Sequence, residues 1–175
     1  MKVTLGGPPG AGKTTVADLL SKQTGWPLIS AGEMFRREAE ARGLSLPEFG
    51  RRAERDPRLD RAVDRRQAAE AARHRNAIVE GRLAAHFIPK ADLRVWITAP
   101  LEVRAARVAR REGVSVATAR RQVRERERCE ARRYRRWYNI EMASLEPYQL
   151  VLDSSRWGPQ AIARVIRTAI SAAKR

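Results

Sequence analysis

The sequence predicts an α/β domain, a parallel five-stranded sheet covered by helices on both faces. Two observations carry this expectation. Five short apolar runs, Val3–Leu5, Leu28–Ile29, Ala77–Glu80, Leu93–Thr98 and Gln149–Leu152, alternate with long stretches of helical periodicity. Strands buried on both faces read as such runs, because neither face meets water. A glycine-rich turn also joins the first run to the first helix, which puts a ligand at the carboxyl ends of the strands. At 175 residues the chain can bury one core, and no linker, low-complexity tract or internal repeat divides it.

In chain order the periodicity predicts helices over Lys13–Gln23, Gly32–Arg42, Leu46–Arg55, Leu59–Arg73, Leu101–Arg111, Val116–Tyr138 and Pro159–Ala172. Gly43 suits a helix C-cap, and Pro57, Pro100 and Pro159 suit first turns. Three helices rather than one separate the second and third strands, so residues 31–75 form an insertion large enough for a mobile flap. Residues 114–145 form a second, leaving residues 1–30, 76–113 and 146–175 as the core.

The second flap carries a finer signal. Val116, Ala119 and Val123 make an apolar stripe, and the same phase continues through Arg126, Glu130 and Arg133 before Tyr134 and Trp137. A helix face that turns charged halfway along points either into a polar cleft or out into water.

Gly7, Pro8, Pro9, Gly10, Ala11, Gly12, Lys13 and Thr14 satisfy the phosphate-binding-loop pattern G-x-x-x-x-G-K-[ST]. Glycines free the backbone N–H groups to wrap phosphate oxygens at the positive end of the following helix. Lys13 would reach β- and γ-phosphates, and the Thr14 hydroxyl would hold Mg²⁺. Ser30 and Gly32 permit close approach at the second strand-to-helix turn, and Arg36, one turn on, can clamp a phosphate. Glu80, ending the third strand, has two open readings: acceptor for Mg²⁺-bound water, or salt-bridge partner. Arg82 would look into the same crevice. His74 and His86 show no evident partners, and Trp157 suits core packing better than a place beside a base. No Ser-His-Asp set, metal cluster or carboxylate pair can be argued.

The formal net charge is +16, with 31 of the 36 basic residues arginine. Many lie a helical turn from a glutamate, as Glu125 does from Arg121 and Arg128, or Glu127 from Arg124, and read as solvated faces. Weak, salt-sensitive RNA adhesion is the expected by-product, with no specific nucleic-acid partner. One cysteine, Cys129, fits an inert helix-face thiol. No apolar run approaches a membrane span, and Met1-Lys2 leads straight into the first strand without a signal peptide. The expected setting is the cytoplasm.

Taken together, these blocks resemble the nucleoside monophosphate kinases, most closely the short cytidylate kinases of archaeal type. The markers are Gly6–Thr15, Ser30–Arg36, Asp64–Gln67, Glu80–Ala84, Ala99–Arg104, Arg133–Tyr138 and Val151–Trp157, spread over essentially the whole chain. The resemblance implies a P-loop NTPase fold of three α/β/α layers, with a monophosphate-binding insertion at 31–75 and an arginine-rich lid at 114–145. It implies γ-phosphoryl transfer from ATP to CMP or dCMP with Mg²⁺. A monomer is expected separately, since flap closure needs no partner subunit. Lys13, Thr15 and the loop would hold the donor phosphates, and Thr14 and Glu80 the metal. Arg36 and Arg82 would clamp the acceptor phosphate beside Ser30, Gly32 and Asp60. Arg126 and Arg133 would bridge phosphates across the closed cleft, with Glu130 on the acceptor's sugar. Arg107 would flank the donor base, with Ser155 in the loop beside it. Two departures stand out. Bacterial relatives carry Asp where this chain has Glu80 and Glu130, and Asp60 replaces an acceptor-contacting arginine of the longer bacterial enzymes.

Overall fold

The computed structural model describes residues 1–173, so the last two residues of the expected core lie outside the described residues. Five parallel strands, β1 (Lys2–Gly6), β2 (Leu28–Ser30), β3 (Ala77–Glu80), β4 (Leu93–Thr98) and β5 (Leu150–Asp153), lie in the order β2-β3-β1-β4-β5. Central β1 pairs Val3 with Ile78 on one side and with Leu93 on the other. Outer pairings set Ile29 against Val79 and Trp96 against Val151.

The helices are α1 (Lys13–Thr24), α2 (Ala31–Glu40), α3 (Leu46–Ala53), α4 (Pro57–Ala72), α5 (Ala84–Phe87), α6 (Leu101–Glu112), α7 (Val116–Tyr138) and α8 (Pro159–Ala173). Their starts follow local chemistry. Ser45 and Glu48 form a reciprocal capping box at α3, and the hydroxyls of Ser30 and Ser115 accept from Glu33 and Thr118 amides at α2 and α7.

Alternation along the strands divides the core. Val3, Leu5, Val95 and Ile97 pack against Val16 and Leu20 of α1 and Ile162, Ile166 and Ile170 of α8. The opposite face buries Ile29 and Val79 under Ala71 of α4 and Ala84 and Ile88. A third cluster, Val108, Ala109, Ala119 and Val123, fastens α7 to α6, which aims the inner face of α7 over the sheet's carboxyl edge.

Several element expectations shift. Four-residue α5 was not expected, because one turn is too short to show a period. The second helix ends at Glu40 rather than Arg42, with a further turn closing at Gly43, whose N–H donates to the Glu40 carbonyl. The third ends at Ala53, Pro57 rather than Leu59 begins the fourth, and Pro100 caps α6 from outside its first turn. The last strand lies one residue later than its apolar run.

Candidate active site

The loop between β1 and α1 is wedged into the sheet edge by its own backbone. Gly7 has φ +145°, and a Cβ there would fall 2.0 Å from the Ile97 carbonyl oxygen. Gly10 has φ +77°, and its Cβ would meet the Arg104 carbonyl oxygen at 2.7 Å. Only glycine fits either position. Side chains take the loop carbonyls: Arg82 Nη1 donates to Gly7 O at 2.6 Å, Arg104 Nη1 to Pro9 O at 3.2 Å, and Ser154 Oγ to Ala11 O at 2.7 Å. No side chain caps α1, so its first amides stay open for an anion.

Of these groups Pro9, Gly10, Ala11, Arg82 and Ser154 wall a cavity of about 330 Å³. Lys13 lies in its floor, donating to Pro8 O at 3.2 Å with Glu80 Oε1 at 3.9 Å. Burial, reinforced by the Arg82 guanidinium, lowers its amine from 10.5 to about 7. Glu80 Oε2 accepts from Ser30 Oγ at 2.7 Å, and Gln67 Nε2 donates to the Glu80 and Ile29 carbonyls at 2.8 and 3.2 Å. The Ser30 hydroxyl thus fixes where the Glu80 carboxylate sits, and the Gln67 amide holds the backbone ends of β2 and β3. Gly32 and Arg36 complete this wall, and Arg36 is exposed with no partner of its own among the described residues.

Helix α7 supplies the facing wall. Arg126 reaches the cavity, and its Nε donates to Glu130 Oε1 at 2.8 Å. Glu130 Oε2 meets Arg82 Nη2 at 2.7 Å. Burial alone would raise the Glu130 carboxyl; the guanidiniums of Arg82 and Arg126 outweigh it and hold it at about 2. Deeper still, Arg133 Nε pairs with Asp60 Oδ2 at 3.0 Å, its Nη1 donates to the Gly50 carbonyl at 3.2 Å, and its guanidinium lies 5.3 Å from the Phe35 ring centre. Burial raises Asp60 to about 6 against the pull of Arg133. Tyr138 OH donates to Asp64 Oδ2 at 2.6 Å, and Arg132 Nη2 meets Glu54 Oε1 at 2.6 Å. Helix α7 is therefore docked on α3 and α4.

Of the residues singled out in the sequence, Pro9, Gly10, Ala11, Gly12, Lys13, Thr14, Thr15, Gly32, Arg36, Glu80, Arg82, Arg107 and Arg126 share the cavity wall. Gly7 and Pro8 support the loop from behind, and Ser30 and Glu130 hold wall residues in place. Asp60 and Arg133 are brought together but stand behind the wall, their charges turned to each other. In the loop after β5, Ser154, rather than Ser155, lines the cavity. It accepts from Arg107 Nη1 at 2.8 Å, while the Ser155 N–H donates to Asp153.

Other expectations are corrected. Trp157 is 48% exposed and borders the cavity instead of packing in the core. Glu127 pairs with Arg104 at 2.8 Å rather than with Arg124, and His74 has a partner, Glu70, at 3.2 Å. Sequence reading missed Arg104, Arg111, Ser154 and Gln67. Arg104 and Gln67 lie within recognisable blocks, but nothing in those blocks marks which carbonyls they reach. Cys129 is half-buried, and desolvation pushes its thiol up to about 11, in keeping with an inert role.

Comparison with known proteins agrees with this geometry. Residues 2–156 match the model of the Cytidylate kinase-like family. A cytidylate kinase of Methanocella arvoryzae is 44% identical over 175 residues, covering 100% of this chain and 99% of that one. Those of Archaeoglobus fulgidus (40% identity; 99% and 97%) and Pyrococcus abyssi (44%; 96% and 92%) are similar across nearly their full lengths. Among solved structures, an uncharacterised protein of Eubacterium ventriosum superposes with TM-score 0.70 at 18% identity, over 98% of both chains. Shikimate kinase of Acinetobacter baumannii does so with TM-score 0.64 at 18% identity, over 98% and 93%. At such identities the structural matches establish the fold alone, a P-loop kinase α/β/α sandwich. The near-complete sequence matches go further: the chain belongs to the cytidylate kinase-like family.

Proposed function

We propose that the protein transfers the γ-phosphoryl group of ATP to CMP or dCMP, giving ADP and CDP or dCDP. The observation that carries this reading is one cavity with a phosphate loop on one wall and three arginines, Arg36, Arg82 and Arg126, from three other segments around it. Phosphoryl transfer asks mainly for alignment and for positive charge on the transferring oxygens.

In this reading the amides at the start of α1 and the Lys13 amine hold the donor's β- and γ-phosphates. An arriving polyphosphate supplies the negative charge that a buried amine near pH 7 lacks, so donor binding takes up a proton at Lys13. Arg107 and Trp157 border the donor end, and Arg36 and Arg82 draw the acceptor phosphate toward the line of transfer. Arg126, released in part from Glu130, spans the two phosphates. Asp60, Glu130 and Arg133 act one step back, fixing the lid against the insertion.

The residues fit Mg²⁺ as a donor-borne ion. Among the described residues no cluster of three or more His, Cys, Asp or Glu forms a cage, while Thr14 and one oxygen of Glu80 border the cavity. That suits an ion bound through few protein oxygens and the substrate's own phosphates. When bound, it would screen charge on the β- and γ-oxygens.

The reading carries a cytoplasmic monomer, since both walls come from one chain; no described helix is long and apolar enough to cross a membrane. Its test is a kinase assay offering ATP and Mg²⁺ with CMP, dCMP, UMP or AMP in turn. CMP and dCMP should lead. Preference for AMP or UMP would overturn the acceptor assignment, and RNA-stimulated ADP release without a nucleoside diphosphate product would overturn the kinase reading.

A further inference from the structure

The side of α7 turned away from the cavity is a second cationic site. Arg126, Glu130 and Arg133 occupy the inner face; Arg121, Arg124 and Arg128, at spacings of three and four, occupy the outer one. All three are exposed, and among the described residues none has an ion-pair or hydrogen-bond partner. Arg120 and Arg132 flank them, tethered by single carboxylates, Glu102 and Glu54. Together the five arginines border a shallow groove of about 590 Å³ with Ala117 and one carboxylate, Glu125. Helical rise spreads the five arginines, Arg120 to Arg132, over roughly 18 Å.

Unpaired exposed guanidiniums in a row repel one another and destabilise the helix. A polyanion relieves that repulsion. The groove's composition narrows the partner: among the described residues Ala117 is its only apolar side chain, which gives nothing to insert into a bilayer. It also holds no aromatic ring on which unpaired bases would stack. What remains is contact with a regular backbone whose bases are already stacked on each other. We propose that the outer face of α7 binds the phosphate backbone of duplex nucleic acid, without reading its sequence. This site is independent of the kinase assignment.

The test measures binding of a labelled RNA duplex and a labelled DNA duplex by fluorescence anisotropy across salt concentrations. Three phosphate contacts give a log–log salt slope of about −2.7, so affinity should fall at least ~40-fold between roughly 50 and 200 mM salt. The triple variant Arg121→Gln/Arg124→Gln/Arg128→Gln should lose about that much slope while keeping kinase turnover. A charge-matched control, Arg75→Gln/Arg164→Gln/Arg167→Gln, removes the same charge from exposed positions elsewhere and should bind almost as the parent does. Should the triple variant fold poorly, Arg124→Gln alone is expected to lower the slope by about 0.9. Stronger binding to one duplex than the other identifies the source of the backbone and supports the site. Equal losses in the two triple variants would reduce the effect to net charge and overturn it. Tighter binding to single strands or to phosphatidylserine vesicles than to either duplex would overturn it as well.

Discussion

Lys13 shows what the site costs the free protein. Its amine titrates at about 7 in the fold against 10.5 when unfolded, so the folded chain binds fewer protons between those values. Stability contributed by this residue is therefore lowest below pH 7 and recovers as pH rises toward 10. Lys13→Met should raise the nucleotide-free melting temperature near pH 6–7, with the gain shrinking toward pH 10, while turnover collapses by on the order of 10²–10³ or more. Thermal scans at several pH values check the first half; a variant that melts lower than the parent at pH 6 contradicts it. The parent's ATP affinity should weaken above about pH 7, as the free amine loses its proton. Arg126→Ala removes the arginine that α7 contributes to the cavity wall and should lower kcat by on the order of 10²–10³ with the fold intact. Retained turnover would place that arginine outside the closed site. The loop and its lysine were legible in the sequence because their chemistry is local. Ser154 was not: two adjacent serines follow β5, and which one turns inward depends on where Arg107 crosses the loop.

At the scale of elements, α7 does two things with one periodicity. Its inner face passes from apolar to charged where it leaves α6 and crosses the cavity, and that change of character is readable as a stripe. The charged inner face does meet the site, with Arg126 on the wall and Glu130 behind it. Arg133 escaped the expectation that it enters the cleft, because its partner Asp60 is 73 positions earlier and no local pattern announces such a pairing. The docking of α7 on α4 rests partly on Tyr138 and Asp64. Tyr138→Phe should cost about 0.5–1.5 kcal/mol, read as a lower denaturant midpoint with unchanged slope. It also removes a bond that favours the Asp64 carboxylate, so the already raised Asp64 (about 6) should climb further. An unchanged midpoint would mean that the lid and insertion meet without that contact. Element ends, by contrast, were legible only to within a residue or two, since α5 and the ends of α2, α3 and α4 depend on short turns.

Across the whole molecule, a sheet of five parallel strands supplies a rigid edge, and two insertions supply a cover. The sheet was legible because strands buried on both faces cannot disguise themselves as polar. The cover was legible as surplus length between strands, though the ion pairs that hold it shut were not. A cover matters because water competes with the acceptor for the transferring phosphoryl group. The lid–insertion contacts through Arg133, Arg132 and Tyr138 are the physical means by which this fold would exclude that water. The most direct measurement is the product ratio in one reaction: CDP formed per ADP released, from ATP, Mg²⁺ and saturating CMP. A ratio near one, with ADP release nearly absent when CMP is withheld, is the predicted result. ADP release that proceeds equally with or without CMP, and with little CDP, would contradict it.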